Sequence, residues 1–318
     1  MNFTTKITIE KSQHPISYQS KIVSLGSCFA ENMGEKFDYF KFQNVVNPFG
    51  ILFNPVSIER LIARVVNQEM FTENDIFFYN DLWHCFEVHS ELSNPNKEAF
   101  LNSLNELLES TNNQITESTH FILTYGTSWI YRNKASQKIV ANCHKVPQSQ
   151  FVKEILSVAT IEKSIQNTID LIQKINPNCA FIFTISPVRH IKDGFVENQH
   201  SKAHLISAMH KIINYQLSIV NYFPSYEILM DELRDYRFYA DDMLHPSQTT
   251  IDYIWLRFLE NYISEEHHAT IEEVSSIQKA LAHRPFNPNS EAHQKFLNSL
   301  NTKIFRLKEQ FPHIRFLK

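Results

Sequence analysis

Glycine is scarce in this chain, five in 318 residues, so each one present marks a place where conformation or close approach excludes a side chain. Cysteine is as thin: Cys28, Cys85, Cys143 and Cys179 are scattered, with no C-x-x-C pair and none of the density of a disulfide scaffold. No apolar run approaches the length of a membrane span, and residues 1–10 (MNFTTKITIE) carry no apolar signal core. A cytoplasmic, reducing location is the expectation, with no membrane partner. Neither sign of charge dominates: the formal net charge is −4 and there is no basic stripe, which removes the electrostatic reason to expect nucleic acid. Gly/Ser linkers, low-complexity tracts and fixed-period repeats are also missing.

What is present is a core. Hydrophobic residues make up 43% of the chain, 25 of them phenylalanine, and a chain this long buries a sizeable interior without disulfides or metals. Short apolar runs alternate with helix-period segments. Residues 21–25 (KIVSL), 121–125 (FILTY) and 180–185 (AFIFTI) read as buried parallel strands, and 44–46 and 226–230 as two more. Phe29, Met33, Phe37 and Phe40 recur at helical spacing, and 56–66, 96–109, 160–174 and 202–222 also read as helices. Residues 75–89 suggest a hairpin turning at Asn80-Asp81, and 129–142 a second one. The pattern predicts a three-layer α/β/α sandwich on a mainly parallel five-stranded sheet of flavodoxin-like order. It predicts one domain over residues 1–265, with residues 266–318 a helical extension packed on it.

In such a sheet, ligands bind at the carboxyl ends of the strands. The first strand ends in Gly26-Ser27-Cys28-Phe29-Ala30 just before a helix, which puts a hydroxyl beside helix N-terminal amides. A serine is inert at its free pKa and needs a base held by a third group. Residues 241–247 (DDMLHPS) offer one, since an Asp three residues before a His folds back onto the imidazole.

The run SLGSCFAENM at 24–33 resembles the signature of the GSCFA family, itself similar to SGNH (GDSL-type) hydrolases. Residues 47–55 (NPFGILFNP), 82–90 (LWHCFEVHS), 125–131 (YGTSWIY), 142–147 (NCHKVP) and 241–247 resemble the family too. The resemblance spans most of residues 20–250. It implies Ser27 as nucleophile, His245 as base and Asp242 as its orienter, with the backbone N–H groups of Ser27 and Gly50 in the oxyanion hole. SGNH enzymes usually add an Asn side chain from G-x-N-D, whereas this chain has Ser128 at that place; Asn142 or His144 on the neighbouring hairpin would be the replacement. The implied activity is a serine esterase, an O-deacetylase of a carbohydrate or small ester, needing no cofactor. An acyltransferase with the same triad and a ligand-binding module that kept only the pocket are the alternatives.

Competing readings attach to the same residues. Ser27 is equally placed to be a helix N-cap, and Asp241 competes with Asp242. Cys28 reads as a small buried side chain rather than a rival nucleophile. His84, Cys85, His89, Cys143, His144 and His190 match no zinc spacing, so no metal is expected. His89 and His144 are candidates for the substrate pocket.

Overall fold

The computed structural model, which describes residues 4–215 and 219–316, holds a five-stranded parallel sheet covered by helices on both faces. Its strands are β1 (Lys21–Gly26), β2 (Gln43–Val46), β5 (His120–Tyr125), β9 (Ala180–Ile185) and β10 (Val220–Phe223), in spatial order β10-β9-β5-β1-β2. Counted within the sheet alone, that is the flavodoxin-like order, and the three-layer sandwich expected from the sequence is the fold observed.

Alternation along each strand divides the core in two. Val23, Leu25, Phe121, Leu123, Phe181 and Phe183 join the cluster formed with α2 (Pro55–Val66), α3 (Lys97–Glu117), α4 (Val158–Ile175) and α5 (Phe195–Tyr215). Ile22, Ile122, Ile182 and Phe223 point the other way, into a cluster with α1 (Cys28–Tyr39), α7 (Gln248–Tyr262), α8 (His268–Ala282) and α9 (Glu291–Gln310). The last two helices therefore share a core with the sheet. Tyr18, for example, stacks on Phe42 at 4.5 Å and meets Phe311 at 4.8 Å. Among the described residues, no helix is long and apolar enough to cross a membrane.

Two small sheets interrupt the alternation. Strands β3 (Ile76–Tyr79) and β4 (Leu82–Cys85) pair antiparallel about Asn80 and Asp81, whose φ values of 47° and 61° are those of a type I′ hairpin turn. Strands β6 (Trp129–Asn133), β7 (Ile139–Val140) and β8 (Phe151–Ile155) form a three-stranded sheet in the order β7-β6-β8. The expected second hairpin thus gains a third strand.

Two elements differ from the sequence expectation, and one helix was not expected. The helix expected over 202–222 starts earlier and ends by Tyr215; 216–218 lie outside the described residues, and 220–222 belong to β10. A four-residue edge strand is too short for its alternation to stand out from a helix pattern. The strand expected at 226–230 is helical instead, α6 (Ser225–Glu227) running into a π-helical stretch over Ile228–Leu233. That coil buries Tyr226, Ile228 and Leu229, and it follows Pro224, which has no N–H for a ladder. Helix α7, unassigned from sequence, packs Ile254, Trp255 and Phe258 into the second cluster.

Candidate functional site

Ser27 follows β1 at a turn that only glycine permits. Gly26 has φ +148°, and a Cβ there would lie 2.2 Å from the Thr124 carbonyl oxygen on β5. Ser27 caps α1: its Oγ accepts from the Phe29 N–H at 3.4 Å and its carbonyl from the Ala30 N–H at 2.8 Å. The side chain has no exposed surface. Its own N–H donates to the Thr124 carbonyl at 3.0 Å. Gly50, with φ +74°, sits against His89, whose Cβ a side chain at 50 would meet at 2.3 Å. The Gly50 N–H donates to the Asn47 carbonyl at 2.7 Å, so both backbone donors implied for the oxyanion hole have intrachain acceptors. Beside Ser27, burial and then the Glu31 carboxylate raise the Cys28 thiol pKa, which leaves it a poor nucleophile.

The Asp242–His245 pair is built locally. His245 Nδ1 and Asp242 Oδ2 are 2.6 Å apart, while Asp242 Oδ1 accepts the N–H groups of Leu244 at 2.9 Å and His245 at 3.0 Å. The His245 backbone N–H, its ring and the Leu244 N–H together hold the Asp242 carboxyl down at about 2, so it stays ionised. Met243, at φ +58°, lets the turn close. The Arg189 N–H donates to the Leu244 carbonyl at 3.2 Å, which docks this turn on the segment after β9. Among the described residues no hydrogen bond joins the His245 ring to the Ser27 hydroxyl. Asp241 makes no bond to His245.

Between the two lies a group that sequence reading considered only as a metal ligand. A Cβ built on Gly126, just past β5, would lie 3.1 Å from Phe53 Cδ1, 3.2 Å from His190 Nε2 and 3.3 Å from Ser27 Cβ. His190 and Ser27 are thus neighbours across a glycine. Behind them Lys202, fully buried on α5, donates from Nζ to the carbonyls of Gly126 and Ser186, each at 2.7 Å. Burial lowers the Lys202 pKa to about 7. Burial, then the Lys202 and His245 charges, lower that of His190 to about 3. A neutral imidazole thus lies beside a buried amine at the ends of β5 and β9, a place where polar N–H groups gather. The one sequence signal for His190 was its position just after a strand's carboxyl end.

The other candidates fall elsewhere. Ser128 is fully buried and tied to α5, its N–H to Ser201 Oγ at 2.8 Å and its hydroxyl to the Ser201 carbonyl at 3.1 Å. Asn142 Oδ1 accepts the His144 N–H at 2.8 Å, ordering the hairpin turn. His144 is buried under β4, with Nε2 2.7 Å from the Cys85 carbonyl, and burial, opposed in part by that bond, lowers its pKa to about 4. His84 packs on His144 with ring centroids 4.7 Å apart and is held by Ser93 Oγ and the Tyr79 carbonyl. His89 donates its N–H to the Phe49 carbonyl at 3.0 Å and caps a short 3-10 turn beside Gly50.

Fold and site together define an α/β sandwich with a serine, a carboxylate–histidine pair, a buried histidine and a buried lysine gathered at the carboxyl edge of its sheet. The chain belongs to the GSCFA family. That family's sequence profile matches residues 21–258, and a second, described as the GSCFA domain protein, C-terminal domain, matches residues 274–318. The first covers the sheet through most of α7, and the second most of α8 and all of α9. No curated protein matches the chain.

Proposed function

We propose that the protein is a serine esterase of the SGNH kind, an O-deacetylase of a carbohydrate or of a small ester, working without a cofactor in a reducing compartment. The observation that carries the reading is the Asp242–His245 pair at 2.6 Å, docked through Arg189 and Leu244 on the segment that brings His190 beside Ser27. Its four free cysteines suit a reducing environment. In this reaction His245 takes the Ser27 proton as Oγ attacks the ester carbonyl, and Asp242 holds the imidazole and stabilises the imidazolium. Collapse expels the alcohol with a proton from His245, and water then releases the acid from Ser27. A sugar hydroxyl in place of that water makes the same site an acyltransferase.

Labelling by a fluorophosphonate probe tests the reading. The wild type labels, Ser27→Ala does not, and His245→Ala labels at least tenfold more slowly, each variant retaining its circular dichroism. A second reading has its own observation: Ser27 is unexposed and has no bond to His245, as in a binding module that has lost turnover. A folded wild type that never labels would establish that alternative in place of the esterase.

A further inference from the structure

We infer that His190 is a catalytic residue of this site, its Nε2–H donating to the oxyanion in the place of the amide that SGNH enzymes usually carry. The inference rests on Ser27 being the nucleophile and names a group which that reading leaves unassigned.

Attack on an ester carbonyl moves the π electron pair onto oxygen, and the resulting anion needs fixed donors about 2.7–3.1 Å away. Of the donors implied by family resemblance, the N–H groups of Ser27 and Gly50 bond to Thr124 and Asn47. The Ser128 hydroxyl donates to the Ser201 carbonyl, Asn142 orders its turn by accepting the His144 N–H on Oδ1, and His144 gives its Nε2–H to the Cys85 carbonyl. Among the described residues, His190 Nε2 differs from these donor groups in being both shielded from solvent and without a hydrogen-bond partner. A shielded polar atom left unpaired costs about 1–3 kcal/mol, which a binding partner supplied by substrate would offset.

Its surroundings aim it. The ring meets Phe53 edge-on at 5.5 Å, and the His190 backbone N–H donates to Asn198 Oδ1 on α5 at 2.9 Å. Nε2 and the Ser27 Cβ converge on the space over Gly126, where any side chain at 126 would stand. Lys202, pinned under Gly126, adds its field from below. A ring held neutral by burial and these cations keeps one N–H to donate and is a poor base, which leaves proton transfer to the half-exposed His245. During turnover His190 therefore keeps its proton. The Ser27 proton passes to His245 and on to the leaving alcohol, while the N–H of His190 lends only a hydrogen bond.

Turnover of p-nitrophenyl acetate decides between a donor and a packing role. His190→Phe keeps an aromatic ring against Phe53 but removes the donor; kcat falls by about 100-fold or more while KM changes only a few-fold. His190→Gln and His190→Asn restore an N–H donor, and at least one recovers tenfold or more of the loss. The acid limb of kcat/KM is unchanged in the recovering variant, because its base is still His245. Activity of His190→Phe close to wild type overturns the inference, as does a loss that neither amide repairs in folded protein, or an acid limb that moves. Failure of the parent reading looks different: wild type itself neither labels with fluorophosphonate nor hydrolyses the ester, and the inference then falls with it.

Discussion

Lys202 carries an ammonium group into the layer between α5 and the sheet, where two carbonyls at 2.7 Å are its partners. Burial lowers its pKa to about 7 from an unfolded value near 10.5. Between those values the unfolded chain binds more protons than the native one, so stability rises with pH across that window. This contribution is complete only above the unfolded pKa and is lost as pH falls toward 7. Lys202→Met removes the titration and leaves the Gly126 and Ser186 carbonyls unpaired, at a cost of about 1–3 kcal/mol each. Urea unfolding of both proteins from pH 7 to 10 should therefore show the difference moving in favour of wild type by up to about 1.4 kcal/mol per pH unit. A constant difference would mean that the lysine titrates as it does in water. Lys202 and His190 also show where sequence reading stops at this scale. The Asp242–His245 contact is legible because three residues of chain dictate it. His190 and Lys202 approach Ser27 only through the packing of the β9 loop and α5 on β5, which no spacing in the sequence encodes.

Elements fit together here by close approach as much as by apolar pattern. Gly34 faces β2 from the middle of α1, and a Cβ there would lie 2.9 Å from Val46 Cγ1 and 3.1 Å from its Cβ. Gly34→Ala gains about 1 kcal/mol in helix propensity, but overpacking costs about 1–3 kcal/mol, so the net effect is a modest destabilisation. In a Val46→Ala background the Cγ contacts are removed and only the one at 3.1 Å to the Cβ at 46 remains, so the same change becomes less destabilising or neutral. Denaturant midpoints of the four proteins in the cycle measure this coupling, and additive effects would show that α1 has room to shift. The strands β1, β5 and β9 were legible because central parallel strands, buried on both faces, are written as continuous apolar runs. Edge strand β10 was not, because it is four residues long and half-buried, and the apolar run after it coils into α6 under a proline.

At the scale of the molecule, the face of the sheet away from α2–α5 is closed only when the C-terminal helices are in place. Ile271, Val274 and Ile277 of α8, Leu300 and Leu307 of α9, and Phe311 and Ile314 beyond it are buried in one cluster with Tyr18, Phe37, Phe42 and Phe258. Burying an aliphatic or aromatic side chain is worth roughly 1.5–3 kcal/mol, so these seven contribute on the order of 10–20 kcal/mol as an upper estimate. A domain's net stability is about 5–15 kcal/mol, which this contribution matches or exceeds. A chain ending at residue 265 is therefore expected to lose cooperative unfolding and to aggregate through the uncovered Tyr18–Phe42 face, even though every candidate site residue remains. Supplying residues 266–318 as a separate fragment should restore near-ultraviolet circular dichroism and a cooperative melt by recovering that contact in trans. A truncated chain that melts at the wild-type temperature without the fragment would instead show that the first 265 residues hold a complete core, and that α8 and α9 merely rest on it.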